Sequence, residues 1–191
     1  MDFEKHFHLS VFGQLESVFL PLGCDSKAVY CRYEILAGPD WELVSGARTG
    51  ITQSCSASRQ RFQEISFNMP LEFTYKSTNP FGWPQIVVSF WGSNLWGTEV
   101  CRGYARLHIP LPERGKHRKI QAPIVTPKPM DLCTQIMAWI TDWAPELRDP
   151  SVLASGNRTK GIHTESYGHL QASFDVLTRG SEALHLEWSC H

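Results

Sequence analysis

The cysteine, histidine and acidic residues are the side chains of this chain that could bind a metal or carry out catalysis, and their spacing argues against both. The close Cys/His combinations, His6-x-His8 and Cys190-His191, lie at the two ends of the sequence, where local proximity has little specificity for zinc. No GxSxG, HExxH, P-loop or GxGxxG motif is present. We therefore expect no catalytic residue, no metal and no cofactor. A hydrolase would require a pocket that brings a histidine next to Cys or Ser with an acid behind it.

Calcium binding would require several carboxylates that converge from loops, and its usual sequence trace in a β-sandwich is an Asp-x-Asp pair. This chain contains no such pair, and its aspartates are isolated from one another, as Asp25, Asp40 and Asp142 illustrate. The sequence therefore does not predict a calcium site.

A single dense cluster of positive charge stands out against a nearly neutral chain. The formal net charge is −1 with a pI near 6.7, so the overall charge of the chain does not favour binding to nucleic acid. On a glycine-containing loop the cluster would project its cations outward. There it could bind anionic lipid head groups, at about 1 kcal/mol for each Lys or Arg, or it could simply be a solvated loop. The cluster consists of Arg114, Lys116, His117, Arg118 and Lys119.

The cysteines and the amino terminus suggest a cytosolic protein without disulfides. The six cysteines have no CxxC pair, and most fall on apolar positions of candidate strands or of a candidate helix, so buried reduced thiols explain them most simply. The amino terminus lacks the apolar stretch of a signal peptide, and no run approaches the roughly 18 apolar residues that a membrane span needs. The cysteines are Cys24, Cys31, Cys55, Cys101, Cys133 and Cys190.

The stretch from Phe67 to Trp91 gives the strongest signal for secondary structure. Apolar and polar residues alternate from Phe67 to Lys76, which is the period of a half-buried strand. Asn79-Pro80-Phe81-Gly82 carries turn chemistry, and the apolar run from Gln85 to Trp91 predicts a second, more deeply buried strand. We therefore predict a hairpin with an aromatic tip.

Similar alternation elsewhere predicts an all-β fold. About eight short strands with turn signals between them, in a chain of 191 residues, favour a single antiparallel β-sandwich. Leu132, Cys133, Ile136, Met137 and Ile140 recur at helical spacing, so we expect one amphipathic helix in a late connection. The domain is expected over residues 7–178, and the tail 179–191 is expected to add an edge strand. The other predicted strands cover residues 7–20, 29–35, 41–44, 51–55, 101–109, 120–124 and 170–176.

Two aromatic residues in predicted loops are candidate anchors for a partner protein. Phe81 lies in the hairpin tip and Trp96 lies in the glycine-bracketed loop that follows the second strand. Large aromatic side chains carry much of the binding energy at protein interfaces. We therefore nominate a partner-binding set that consists of Asn79, Phe81, Gly82, Trp83 and Trp96.

The same tip carries a resemblance to a known family. The run Lys76 to Ser89, KSTNPFGWPQIVVS, resembles the signature of the B9 domain family, and the similarity extends from about Leu9 to Leu177. Flanking elements contribute to it. These are Tyr30-Cys31-Arg32-Tyr33, Asp40-Trp41, Gly97, Arg102-Gly103-Tyr104 and His108-Ile109-Pro110.

This resemblance implies a C2-like β-sandwich without enzymatic activity, located at the basal body and transition zone of cilia. It implies partners among the other B9 domain paralogues and the Meckel-syndrome, or tectonic-like, complex, which gates ciliary entry and supports ciliogenesis. Two hypotheses follow. The chain is a non-catalytic scaffold subunit of that complex, a calcium-independent module that binds an anionic membrane surface through the basic cluster, or both. Whether the tip is shaped by turn geometry or by partner contact stays open at this stage.

Overall fold

The structure is a computed structural model in which most described residues belong to β-strands. It describes residues 6–20, 28–56, 64–93, 96–112, 117–128, 133, 136, 145–154 and 163–184. The strands are β1 (Phe7–Phe19), β2 (Val29–Leu36), β3 (Trp41–Gly46), β4 (Thr49–Ile51), β5 (Glu64–Ser77), β6 (Gln85–Ser93), β7 (Glu99–His108), β8 (Arg118–Pro127) and β9 (Thr164–Arg179). Short 3-10 turns occupy Pro150–Leu153 and Ser181–Leu184.

The strands form where apolar and polar residues alternate. In β5, Phe67, Leu71 and Phe73 are buried, whereas Asn68 and Glu72, which point to the opposite face, are exposed. Every second residue of β2, from Val29 to Ile35, is buried in the same way. This is the burial pattern that the period of two predicts.

All strand pairs are antiparallel, and the described strands form one sheet in the order β3-β5-β1-β9-β8-β7-β6-β2-β4. β3 and β4 lie at opposite ends of this order, yet only Ala47 and Arg48 connect them. The sheet must therefore curl until its two edges approach each other. Pairing is sparse between β7 and β8, where Tyr104 pairs with Val125 and Ala105 with Ile124.

One apolar cluster fills the space that the curled sheet encloses. It contains fully buried aromatic residues from both halves of the sheet, including Phe7 of β1, Phe73 of β5, Phe90 of β6 and Phe174 of β9. A single core shared by both halves is the arrangement of a β-sandwich. The predicted all-β, antiparallel sandwich is confirmed.

The predicted hairpin from Phe67 to Trp91 is wrong, although both of its strands exist. β5 pairs with β1 and β3, whereas β6 pairs with β2 and β7, so the segment 78–84 crosses from one layer of the sandwich to the other. Turn chemistry reverses the chain direction in either case. Turn residues do not predict whether the two strands then pair with each other or with distant strands.

The predicted helix falls mostly outside the described residues. Cys133 and Ile136 are described, and both side chains are exposed, although the helical spacing predicts them on the apolar face. Among the cysteines, Cys31 and Cys101 are buried free thiols as expected, Cys55 is half-buried, and Cys133 departs from the expectation. Cys24, Cys190 and the predicted edge strand of the tail beyond Leu184 lie outside the described residues.

Candidate interaction surfaces

The segment 78–84, here called the Phe81 loop, presents one aromatic side chain on a rigid backbone. The Phe81 side chain is 76% exposed. Its backbone N–H donates to Asn79 Oδ1 at 3.0 Å, and its carbonyl accepts from Trp41 Nε1 at 2.7 Å. The Phe81 backbone is therefore fixed from both sides while the ring points to solvent.

Gly82 is required where it stands because two backbones meet there. Its φ of +71° is a left-handed conformation. A Cβ at this position would lie 2.5 Å from the Cα of Gly38, whose N–H donates to the Gly82 carbonyl at 2.8 Å. The glycine therefore joins the Phe81 loop to the turn that begins β3.

Trp83 is half-buried and belongs to the internal support of the loop. Its ring meets the edge of Trp41 at a centroid distance of 5.4 Å, and its Nε1 donates to the Ile109 carbonyl at 2.9 Å. Trp41 in turn packs edge-on against Phe7 and Tyr75. Phe81 is therefore the aromatic residue of the loop that is available for contact.

Trp96 lies in a second loop, residues 94–98, of which the structure describes residues 96–98. Its side chain is 79% exposed. The Trp96 loop follows β6 and the Phe81 loop precedes it, so the nine residues of β6 separate the two loops by roughly 30 Å. The two predicted anchors therefore do not form one patch.

The described part of the basic cluster faces acidic side chains. His117 Nδ1 lies 2.9 Å from Asp175 Oδ2, and Lys119 Nζ lies 3.4 Å from Glu16. Arg118 is half-buried, and Arg114 and Lys116 lie outside the described residues. The positive charge of Lys119 is thus partly compensated within the chain, and the His117 ring lies against a carboxylate.

Sequence reasoning missed a cavity of about 840 Å³ on the outer face of β2, β4 and β6. The segment Glu146–Pro150 forms its other wall. Its lining residues are distant in sequence. The alternation of Tyr30, Arg32 and Glu34 in β2 was the available signal, because it predicts that these polar side chains share one outward face.

The described residues do not assemble a catalytic or metal-binding group. No cluster of three or more His, Cys, Asp or Glu side chains suited to a metal occurs among them, and the cavity lining contains no histidine or cysteine. Burial raises the pKa of the Cys31 thiol to about 12 and also raises the pKa of Cys101, which disfavours the reactive thiolate. No described helix is long and apolar enough to cross a membrane.

Comparison with known families decides the identity of the fold. The family model B9-C2, described as "Ciliary basal body-associated, B9 protein", matches residues 9–177. The chain belongs to this B9 family. The match spans every described strand except the ends of β1 and β9, and the family designation agrees with the predicted C2-like class.

Full-length relatives support this assignment. The chain is 44% identical to the B9 domain-containing protein 1 of Drosophila melanogaster, over 96% of this chain and 78% of the relative. It is 35% identical to the human protein of the same name, over 93% of this chain and 85% of the relative. B9 domain-containing protein 2 of Danio rerio is 26% identical over 90% of this chain and 93% of the relative.

Among solved structures, a C2 domain of a plant extended synaptotagmin 1 aligns with a TM-score of 0.44 at 8% identity. The alignment covers 87% of this chain and 92% of that domain.

Proposed function

We propose that this B9 domain is a non-catalytic scaffold subunit that assembles with other B9 domain proteins at the ciliary transition zone. In this role it supports ciliogenesis and the gating of membrane protein entry into the cilium, as part of the Meckel-syndrome or tectonic-like complex. Two observations support the proposal. The family is described as basal body-associated, and two differently named groups of B9 domain proteins match this chain, which provides candidate partners of the same fold.

The observation that carries the proposal is the presentation of Phe81. A side chain that is 76% exposed sits on a backbone whose N–H and carbonyl are both hydrogen-bonded within the chain. A residue whose backbone is already fixed loses little backbone entropy when its side chain is buried by a partner. Such residues are typical anchors of protein interfaces.

The geometry favours a binding role over catalysis. The buried thiols with raised pKa are not part of the described cavity lining, which has arginine, glutamate, serine and threonine among its apolar residues but neither histidine nor cysteine. The relatives are named for their domain and not for a reaction. These features fit a protein that acts by assembly.

Co-expression with its B9 paralogues tests the proposal. The chain is expected to co-purify stoichiometrically with them without lipid, and Phe81→Ala is expected to weaken the complex at least tenfold, because interface anchors contribute about 2 kcal/mol or more. Affinity is measured by calorimetry and stoichiometry by size-exclusion chromatography with light scattering. Phe12→Ala is the matched control, since it truncates another exposed phenylalanine, on β1.

Two results would contradict the proposal. One is a chain that stays monomeric in the presence of every B9 paralogue. The other is a Phe81→Ala variant that binds like Phe12→Ala, which would remove Phe81 from the contact. Trp96→Ala, measured in parallel, shows whether the opposite end of β6 forms a second contact.

The lipid-binding alternative has weaker support, because His117 and Lys119 already face acidic residues. It predicts that the chain alone sediments with phosphatidylserine vesicles in the absence of calcium. It further predicts that replacement of Arg114, Lys116, Arg118 and Lys119 by glutamate abolishes sedimentation.

A further inference from the structure

Among the described strands, β3 and β4 lie at the two ends of the sheet, so each presents one edge to which a further strand can pair. The edge of β3 is interrupted. Its register with β5 shifts at Val44, and the strand ends at Gly46 with a φ of +98°. Glu42 adds an exposed carboxylate. Bulges and exposed charges are means by which proteins prevent edge pairing, so β3 is poorly suited to accept another strand.

The edge of β4 is regular over residues 48–52. Its register with β2 is constant from residue 49 to residue 51. The bond from the Ile35 N–H to the Arg48 carbonyl continues this register at one end, and at the other end the Thr52 N–H donates to the Cys31 carbonyl. β4 itself contains no proline and no charged residue, and its Ile51 side chain is 61% exposed. A regular edge of this kind is a template for pairing with another chain.

The ladder with β2 decides which backbone groups of β4 remain available for such pairing. Hydrogen-bonded and non-hydrogen-bonded pairs alternate in an antiparallel ladder. Since the pairs at residues 48 and 52 are hydrogen-bonded, the pair at Gly50 is hydrogen-bonded too, and Thr49 and Ile51 belong to the pairs between them. The N–H and carbonyl groups of Thr49 and Ile51 therefore point away from β2, toward the open edge.

These outward groups are self-complementary. An antiparallel pair of two β4 strands with a twofold axis at Gly50 places Thr49 of each copy opposite Ile51 of the other. Both residues present an outward N–H and carbonyl, so the two positions form about four hydrogen bonds in total. Arg48 falls opposite Thr52, so the arrangement places no like charges opposite each other over residues 48–52.

The residue at the axis permits the close approach that this pairing requires. The pair of Gly50 residues is non-hydrogen-bonded, and such pairs have a Cα separation of about 4.5 Å. A Cβ at Gly50 would lie 2.5 Å from the Tyr33 ring, so this ring already fills the inner face beside the glycine. On the outer face, Ile51 gains a contact with Thr49 of the second copy. This contact covers part of an exposed apolar side chain.

We infer that this chain forms a twofold-symmetric dimer in which β4 pairs antiparallel with β4 of a second copy and joins the two sheets into one. The second copy is the partner because β4 itself satisfies both the pattern of outward backbone groups and the absence of opposed like charges. The ladder is short, so the dimer is weak and depends on concentration. It does not involve Phe81 and is independent of the paralogue contact proposed above.

Sedimentation equilibrium of the full chain tests the inference. The mass is expected to rise from 21.7 kDa toward twice that value as the concentration rises from about 1 to about 500 μM. Thr49→Lys combined with Ile51→Lys opposes like charges across the axis and should raise the dissociation constant about tenfold or more. Thr49→Glu combined with Ile51→Glu should do the same, and a mixture of the two variants should restore a dimer. Val44→Lys, at an exposed residue of β3, is the control and should leave the dimer unchanged.

A third double variant tests the register of the two strands. Thr49→Lys combined with Ile51→Glu leaves the net charge unchanged and places opposite charges across the antiparallel axis. Its dimer should be at least as tight as that of the wild type and should weaken more with added salt. Within the chain its new charges face Glu34 and Arg32 with matching sign, so this variant decides the test even if a like-charge variant loses stability.

A monomer at every concentration would overturn the inference. A dimer that persists in both like-charge variants would do so as well, because the contact would then lie elsewhere. If the variant with opposite charges dissociates like the like-charge variants at an equal melting temperature, the antiparallel register is wrong. Phe81→Ala should leave the dimer intact, and its dissociation would assign the self-association to the Phe81 loop instead of β4.

Discussion

The two loops that flank β6 contain the same residue types but use them differently. The Phe81 loop contains Gly82 and Trp83, and the Trp96 loop contains Trp96 and Gly97; both glycines have positive φ. In the first loop the tryptophan is half-buried and the glycine touches another backbone. In the second loop the tryptophan is exposed, and among the described residues no atom lies within 4 Å of a Cβ added to the glycine.

The Phe81 loop and the Trp96 loop show that the same residue types in a turn can either pack within the fold or stay exposed. The Phe81 loop is part of the packing that joins the two layers, because Trp41 and Trp83 meet there and Gly38 bonds to Gly82. Its residues 79, 82 and 83 position Phe81, which alone of the loop's aromatic residues faces solvent. Gly82 and Trp83 of this tip thus have a structural explanation, and a contact explanation is needed only for Phe81.

Among the three residues that support Phe81, Gly82 gives the largest expected loss of stability. Gly82→Ala is expected to destabilise the fold by about 2–5 kcal/mol, because the new Cβ combines left-handed strain with overlap against Gly38. Gly97→Ala adds only the strain, about 1–2 kcal/mol. Urea unfolding of both variants measures the difference. Equal losses would show that contact with Gly38 contributes nothing to stability.

Trp83 gives the next largest expected loss, and Trp96 is its counterpart in the second loop. Trp83→Ala removes a ring contact and a hydrogen bond to Ile109, so we expect a loss of about 2–4 kcal/mol, reduced by its partial exposure. Trp96→Ala removes a side chain that is 79% exposed and should change stability by about 0.5 kcal/mol or less. Thermal denaturation compares the two variants. A large loss for Trp96→Ala would mean that the ring supports the fold.

The alternation of apolar and polar residues predicted where the strands lie, but it did not predict which strands pair. The alternation in β5 is a property of neighbouring residues, and burial of Phe67, Leu71 and Phe73 follows from it. The partners of β5 and β6 come from distant segments, and nothing in the turn between them identifies those partners. The cavity could not be predicted for the same reason, because its walls come from segments that are distant in sequence: β2, β4, β6 and residues 146–150.

For the candidate interaction residues, exposure could be predicted from the sequence, whereas their packing could not. Exposure of Phe81 and Trp96 followed from their loop positions. The support role of Trp83 did not, because it depends on Trp41 and Ile109, which approach only after the sheet curls. The alternation in β2 likewise predicts that Arg32 points outward. Its guanidinium lies 4.6 Å from the centroid of the Trp91 ring, and this contact depends on the pairing of β2 with β6.

Asn79 gives the smallest expected loss of the three residues that support Phe81, and it separates support from contact within one loop. Asn79 Oδ1 accepts from the Phe81 N–H at 3.0 Å, and Asn79 is itself exposed. Asn79→Ala should cost about 1 kcal/mol, the typical net value of one hydrogen bond, whereas Asn79→Asp keeps the acceptor and should cost less. If Phe81 must be held rigid to bind a B9 paralogue, Asn79→Ala should weaken that complex several-fold while Asn79→Asp binds normally. Equal binding by both variants would mean that exposure of Phe81 suffices and that its rigidity contributes nothing.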